Sequence, residues 1–170
     1  ILGAGPIGLL IQEVAQISGA AKILVSEPTE SRRKLAKDLG ATVVVNPIKE
    51  DLMAAAKKLT DGRGFDTVID ASGKLAVAKQ ALSLADKTGT VVWAAMYPED
   101  AEVGVPPSLL YHQELTIRGV FVSPYSFPRA LNLLSVLKLE PLISIMPIEK
   151  ISEAFHGLLA GKGIKVLIKP

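Results

Sequence analysis

Near its start the chain reads Gly3-Ala4-Gly5-Pro6-Ile7-Gly8, a G-x-G-x-x-G pattern. In a turn from strand to helix each position of that pattern has its own task. Gly3 permits the tight turn, and Gly5 lets an anion approach the main chain with no Cβ in the way. Gly8 lets the helix pack closely on the strand. Free N–H groups and the positive end of the helix dipole then face the anion, a pyrophosphate. Pro6 fits the first helical turn, where its missing N–H is least costly, and Ile7 opens the helix's apolar stripe. Glu27 lies about 20 residues on, at the end of a short apolar run, where an acid chelates adenosine ribose hydroxyls and repels a 2′-phosphate. The chemistry indicated is binding of a nicotinamide dinucleotide, NAD before NADP. Arg32 and Arg33 pull the other way, because an arginine beside the ribose accommodates that phosphate. The plainer alternatives are a structural glycine turn and a solvated acid at a strand end.

These residues need a sheet to hold them. Residues 6–18 carry apolar side chains at helical spacing (Ile7, Leu10, Ile11, Val14, Ile17), and Gly19 ends the run. A short buried strand is expected at 21–26, a charged amphipathic helix at 29–39, a strand at 42–45 and a helix at 51–59. The loop Thr60-Asp61-Gly62-Arg63-Gly64 leads into a strand at 65–70, which ends in the turn Ala71-Ser72-Gly73. A helix at 75–85 and a strand at 90–95 follow. Strands alternating with helices at this spacing demand parallel pairing with right-handed crossovers, so the fold class is α/β, a doubly wound parallel sheet of the Rossmann type. Only Ile1 and Leu2 precede the first glycine, whereas a strand normally runs about five or six residues. The first strand is therefore expected to be cut short and the chain to be a fragment.

Beyond Met96 the texture changes. Residues 97–107 are rich in proline and acid, with a short edge strand expected from Glu102 to Val105, ahead of Pro106-Pro107. A strand at 115–122 and a helix at 128–137 come next. After Pro141 the chain runs Leu142-Ile143-Ser144-Ile145-Met146-Pro147, then a helix at 148–159 and a last strand at 164–168. The expected division is a dinucleotide-binding domain over 1–145 and a C-terminal segment over 146–170, which such a sheet does not need.

Bulk properties narrow the class. A chain of 170 residues, 49% apolar and 21% charged, has the length and composition of one globular domain. A net charge of +2 is too small and scattered to favour nucleic acid. No apolar run approaches the roughly 20 residues that span a bilayer, and the start has no signal-peptide pattern. With no cysteine there is no disulfide framework, thiolate zinc site or catalytic thiol, and a cytoplasmic location is expected. Tyr97, Tyr111 and Tyr125 all lack the lysine of a Tyr-x-x-x-Lys pair. His112 and His156 read as surface residues, Trp93 as core, and Ser72 has no histidine in a recognisable nucleophile motif. No catalytic or metal-ligating residue is expected within the chain.

An ordered set of stretches resembles the cofactor domain of the medium-chain dehydrogenase/reductase family, in particular its zinc-dependent alcohol and polyol dehydrogenases. They are Gly-Ala-Gly-Pro-Ile-Gly-Leu-Leu at 3–10, Arg33-Lys34-Leu35-Ala36-Lys37 with Leu39-Gly40-Ala41, Val45-Asn46-Pro47, and Asp61-Gly62-Arg63-Gly64 with Asp70-Ala71-Ser72-Gly73. Glu114-Leu115-Thr116-Ile117-Arg118-Gly119 and Gly163-Ile164-Lys165-Val166-Leu167-Ile168-Lys169-Pro170 complete the set.

The resemblance implies NAD as cofactor, with Glu27 at the ribose-binding acid position and Arg32 beside the same ribose. It implies that Ala71, Ser72 and Gly73 border the adenosine half. Ala94, Ala95 and Met96 would lie along the nicotinamide, and Val120, Phe121 and Val122 would offer main chain to its carboxamide. Lys165 matches a basic position near the pyrophosphate. The tail would cross back into a catalytic domain that holds the zinc and its Cys/His/Glu ligands and is absent from these residues. This chain alone would bind nucleotide without transferring hydride. The family's pairing of edge strands into dimers implies a homo-oligomer through Glu102 to Val105. Where some polyol dehydrogenases carry Arg-Tyr, this chain has Val122-Ser123, which argues against a sorbitol-type substrate. A zinc-free reductase of the same superfamily and a non-catalytic dinucleotide-sensing module are the competing functions.

Overall fold

The computed structural model describes residues 1–121 and 125–170. Strands β1 (Leu24–Ser26) and β2 (Val43–Val45) pair in parallel, and so do β3 (Phe65–Asp70), β4 (Ala85–Trp93) and β5 (Thr116–Gly119) in the order β3-β4-β5. Leu2 joins the two groups through parallel bridges to Ser26 and to Asp70. Gly3 N–H donates to the Ser26 carbonyl at 2.8 Å, and Leu2 N–H to the Ile69 carbonyl at 2.8 Å. Ala71 N–H completes the join by donating to the Leu2 carbonyl at 2.9 Å. The strands thus run β2-β1-Leu2-β3-β4-β5, the order of a doubly wound dinucleotide fold. The first strand is short, with Leu2 making its two bridges, yet it occupies the centre.

Ile1 is laddered to β1 as well: its nitrogen donates to the Leu24 carbonyl at 2.7 Å, and its carbonyl accepts from Ser26 N–H at 2.9 Å.

Helices α1 (Pro6–Ile17), α2 (Glu30–Asp38), α3 (Leu52–Leu59) and α4 (Leu75–Leu84) lie between successive strands. Side chains alternate across a strand, and β1 shows where the alternation leads. Leu24 joins one buried cluster with Leu52 of α3, Leu82 of α4 and Val91 of β4. Ile23 and Val25 join a second with Leu9 of α1 and Ala36 of α2. The sheet is therefore covered on both faces, which requires apolar residues facing each way. Each fully buried leucine contributes roughly 1.5–3 kcal/mol.

Several elements depart from the expected pattern. The strand expected at 21–26 begins only at Leu24, because Ile23 N–H donates to Thr42 Oγ1 and not to a ladder carbonyl. In contrast β4 starts at Ala85, well before the expected 90. Phe65 pairs with Ala85 and Thr67 with Thr90, so the residues between bulge outward. Helix α5 (Pro107–Gln113) was not anticipated, although Pro106 at its N-cap and Pro107 at its first position are a start signal. Helix α6 (Ser126–Leu133) begins two residues earlier than expected, since Pro128 sits in the first turn, where N–H groups have no helical acceptor. The edge strand expected from Glu102 to Val105 does not form among the described residues. Residues 101–106 find no ladder partner, and Val105 turns onto the first apolar cluster.

The tail builds its own two-stranded parallel sheet from β6 (Ile143–Pro147) and β7 (Lys165–Lys169), connected through α7 (Ile151–Leu159). Strand β6 straddles the expected division at 145. Leu142, Ile143 and Ile164 pack with the second cluster, and Lys138 N–H donates to Glu13 of α1 at 3.0 Å. Among the described residues no helix is long and apolar enough to cross a membrane.

Candidate functional site

The strand remnant, β1, β3, β4 and β5 all run in parallel, so their C-terminal ends meet at one edge of the sheet. The seam at Leu2 is where the chain's windings diverge, the place where such sheets bind ligands. Gly3 leaves the remnant with φ +105°, a left-handed conformation that disfavours any side chain. Gly5 caps α1 in an extended conformation, and a Cβ there would meet nothing within 4 Å. A Cβ on Gly8 would overlap the Gly3 carbonyl oxygen and lie 2.9 Å from its carbon. The three glycines therefore serve turn, open approach and close packing, as their spacing predicts.

Glu27 follows β1 and is only 5% exposed. Its Oε2 accepts from Ala4 N–H at 2.8 Å and its Oε1 from Thr29 N–H at 2.9 Å. It is thus no solvated acid. It ties the glycine loop to the start of α2, and a carboxylate has further lone pairs for ribose hydroxyls. Arg33 Nη1 donates to the Glu27 main-chain carbonyl at 2.8 Å, so this arginine is occupied in holding the turn. The buried Nε of Arg32 has no hydrogen-bond partner among the described residues.

Across the seam, Asp70 ends β3 and is fully buried. Its Oδ1 accepts from Ser72 N–H at 2.8 Å, its Oδ2 from the Tyr97 hydroxyl at 2.6 Å, and its carbonyl from Ala94 N–H at 3.0 Å. Burial, followed by the Asp70 carboxylate, pushes the Tyr97 hydroxyl well above the usual phenol range, so it keeps its proton. Gly73, at φ +72°, brings its turn against the Met96 carbonyl: a Cβ there would lie 2.7 Å from that oxygen. Gly73 thus abuts Ala95 and Met96. Met96, Val120 and Phe121 are exposed at 84%, 52% and 79%. Val120 N–H donates to the Trp93 carbonyl at 3.2 Å, which carries β5 to the same edge. Val122 lies outside the described residues. Lys165 begins β7 and is exposed.

Trp93 is partly buried on the first cluster and donates to the Ala78 carbonyl at 3.3 Å, consistent with a core role. The Tyr111 and His112 rings lie 4.1 Å apart on α5, both exposed. A recess of about 620 Å³ opens at the opposite end of the strands, between residues 21–24 and 64–68. None of Gly3, Glu27 and Asp70 lines it. The buried carboxylates of Glu27 and Asp70 stand instead at the C-terminal edge of the strands, beside the glycine loop and the turn at 71–73.

Residues 6–136 match the family model for zinc-binding dehydrogenases. The chain belongs to that family. It is 36% identical to the L-threonine 3-dehydrogenase of Pyrococcus horikoshii over 98% of its own length and 49% of that protein's. The benzyl alcohol dehydrogenase of Acinetobacter calcoaceticus superposes with a TM-score of 0.89 at 30% identity, over 99% of this chain and 48% of that one. A Sinorhizobium meliloti 1021 chain solved with NADP bound gives 0.88 at 28% identity, over 99% and 51%. This member of the zinc-binding dehydrogenases thus spans about half the length of the relatives it matches.

The residues present do not suit zinc. The chain has no cysteine, and no three His, Asp or Glu side chains gather among the described residues. They do suit a dinucleotide, on the evidence of the open space at Gly5 and the buried acid beside the loop. Sequence reasoning gave Asp70 and Tyr97 no place in the site. An aspartate ending a strand before Ala-Ser-Gly is an Asx-turn signal that could have marked Asp70. Nothing local marks Tyr97.

Proposed function

We propose that this chain is the cofactor-binding part of a zinc-dependent, NAD-linked dehydrogenase acting on an alcohol or polyol. The observation that carries the reading is Glu27, buried and bonded to the glycine loop at Ala4, next to the open approach at Gly5. In this reading Gly3, Gly5, Pro6, Ile7 and Gly8 cradle the pyrophosphate, and Glu27 takes the ribose hydroxyls. Ala71, Ser72 and Gly73 border the adenosine. Ala94, Ala95 and Met96 line the nicotinamide, with Val120, Phe121 and Val122 at its carboxamide and Lys165 near the pyrophosphate. NAD, when bound, supplies the hydride acceptor. The chain's residues orient that ring and shield one face of it. Zinc, its ligands and the substrate pocket belong to the remainder of the longer protein, and residues 146–170 return towards that part. This chain alone is then inactive. A homo-oligomer paired through Glu102 to Val105 and a cytoplasmic location complete the reading.

A second reading takes NADP. The unpartnered Nε of Arg32 and the NADP-bound structural relative favour it; the acid at Glu27 opposes it.

Calorimetry with NAD and NADP on this chain and on Glu27→Ala tests both. Loss of a charged hydrogen-bond acceptor costs about 1.5–3 kcal/mol, so the variant should bind NAD at least about tenfold more weakly. Its preference over NADP should shrink as well. Tighter binding of NADP by the parent chain would establish the second reading. A folded parent chain that binds neither would sink both.

A further inference from the structure

We propose that Tyr97 is a positioning residue whose hydrogen bond to Asp70 sets the nicotinamide-side wall of the cleft against its adenosine-side wall. The inference rests on the dinucleotide reading above and deepens it.

Asp70 is a junction. It is the last residue of β3, paired with Trp93 at the end of β4, and no part of it is exposed. Its carbonyl holds Ala94, Oδ1 holds the main chain of Ser72, and Oδ2 accepts from the Tyr97 hydroxyl. Ser72 Oγ in turn accepts from Lys74 N–H at 3.2 Å, which leads into α4. One buried carboxylate therefore links the turn at 71–73 to the segment at 94–97.

That segment has little else to hold it. Met96 is 84% exposed, and Ala101 N–H donates only to the nearby Pro98 carbonyl. Among the described hydrogen bonds of residues 95–100, the one from Tyr97 is the bond that reaches the sheet. It is short, 2.6 Å, and its acceptor is charged, the stronger class of hydrogen bond. The close approach of Gly73 to the Met96 carbonyl means that any slackening at Tyr97 opens the contact between the two walls. The adenosine-side turn keeps its own bond from Ser72 whether or not Tyr97 is present.

The two halves of the ligand should therefore respond differently. Tyr97→Phe removes one oxygen and leaves Asp70 Oδ2 without its donor. NAD, which needs both walls, should bind about tenfold more weakly, the equivalent of one hydrogen bond to a charged group. ADP, which lacks the nicotinamide half, should change by less than about twofold. Calorimetry with NAD and with ADP measures the ratio, and thermal denaturation reports general destabilisation. An equal loss for both ligands, or none for either, overturns the proposal. Asp70→Asn keeps both contacts, its Oδ1 accepting from Ser72 N–H and its Nδ2 donating to the phenol oxygen. It should leave the NAD-to-ADP ratio within about twofold of the parent's. A ratio that collapses in Asp70→Asn overturns the proposal even where Tyr97→Phe fails to fold. A parent chain that binds neither NAD nor ADP defeats the dinucleotide reading itself, an outcome distinct from either of these.

Discussion

A Gly5→Ala chain is expected to fold like its parent and to bind NAD at least about a hundredfold more weakly. Gly5 has φ −73° and ψ −176°, ordinary extended backbone that alanine adopts without strain. A Cβ there meets nothing within 4 Å, so no neighbour has to move. The remaining cost is that of a poorer N-cap, about 1 kcal/mol or less. The methyl group would nevertheless stand in the space through which a pyrophosphate reaches the N-terminus of α1. Anion binding there depends on direct contact with main-chain N–H groups, and a carbon placed between them and the phosphate removes it. Thermal denaturation and NAD calorimetry on one preparation would measure the two effects. Unaltered NAD affinity in a stable Gly5→Ala chain would show that the open space at Gly5 is not the cofactor's.

Three residues further on, the same substitution should act on the fold first, and on the cofactor through it. Gly8→Ala puts a Cβ onto the Gly3 carbonyl oxygen, with the Ala71 methyl 3.6 Å away on another side. The near neighbour is backbone, not the flexible end of a side chain, so α1 must lift from the strand remnant. Leu9 of that helix is wholly buried in the second cluster, and lifting the helix loosens it too. Overpacking typically costs 1–3 kcal/mol, and with rigid main chain as the obstacle about 3 kcal/mol or more is expected. A denaturant midpoint and the NAD affinity should fall together, because Gly3 and Ala4 carry the loop. A stable variant with normal affinity would mean that helix and strand are not packed as closely as described.

Much of the fold was legible because its signals are local. The helix over α1 shows in apolar spacing from Ile7 to Ile17 and in Gly19, and the glycine loop needs only six adjacent residues. Both faces of the sheet can be read from unbroken apolar runs such as Ile23-Leu24-Val25. Elements defined by a distant partner were hidden. Ala85 was expected in the preceding helix and the polar Asp86-Lys87-Thr88-Gly89 in neither element, and only the pairing of Ala85 with Phe65 makes these residues strand. The run from Glu102 to Val105 looked like a strand by composition, but no ladder among the described residues receives it. In the candidate site, Glu27 was visible from its distance to the glycines, and its bond to Ala4 was not. The bond from Tyr97 to Asp70 joins residues 27 apart, and the one from Lys138 to Glu13 residues 125 apart. Neither separation leaves any periodic trace in the sequence.

Glu27 and Asp70 stand on opposite sides of the seam at Leu2, while one apolar cluster runs beneath both, shared by Leu24, Val68 and Val91. A dinucleotide lying over the glycine loop would bridge the same seam from above and act as a non-covalent staple. Ligand at a hundred times its dissociation constant adds about 2.7 kcal/mol to the folded state. Core and cofactor would then resist separation of the two sides together, so cofactor occupancy would govern how far the seam can open.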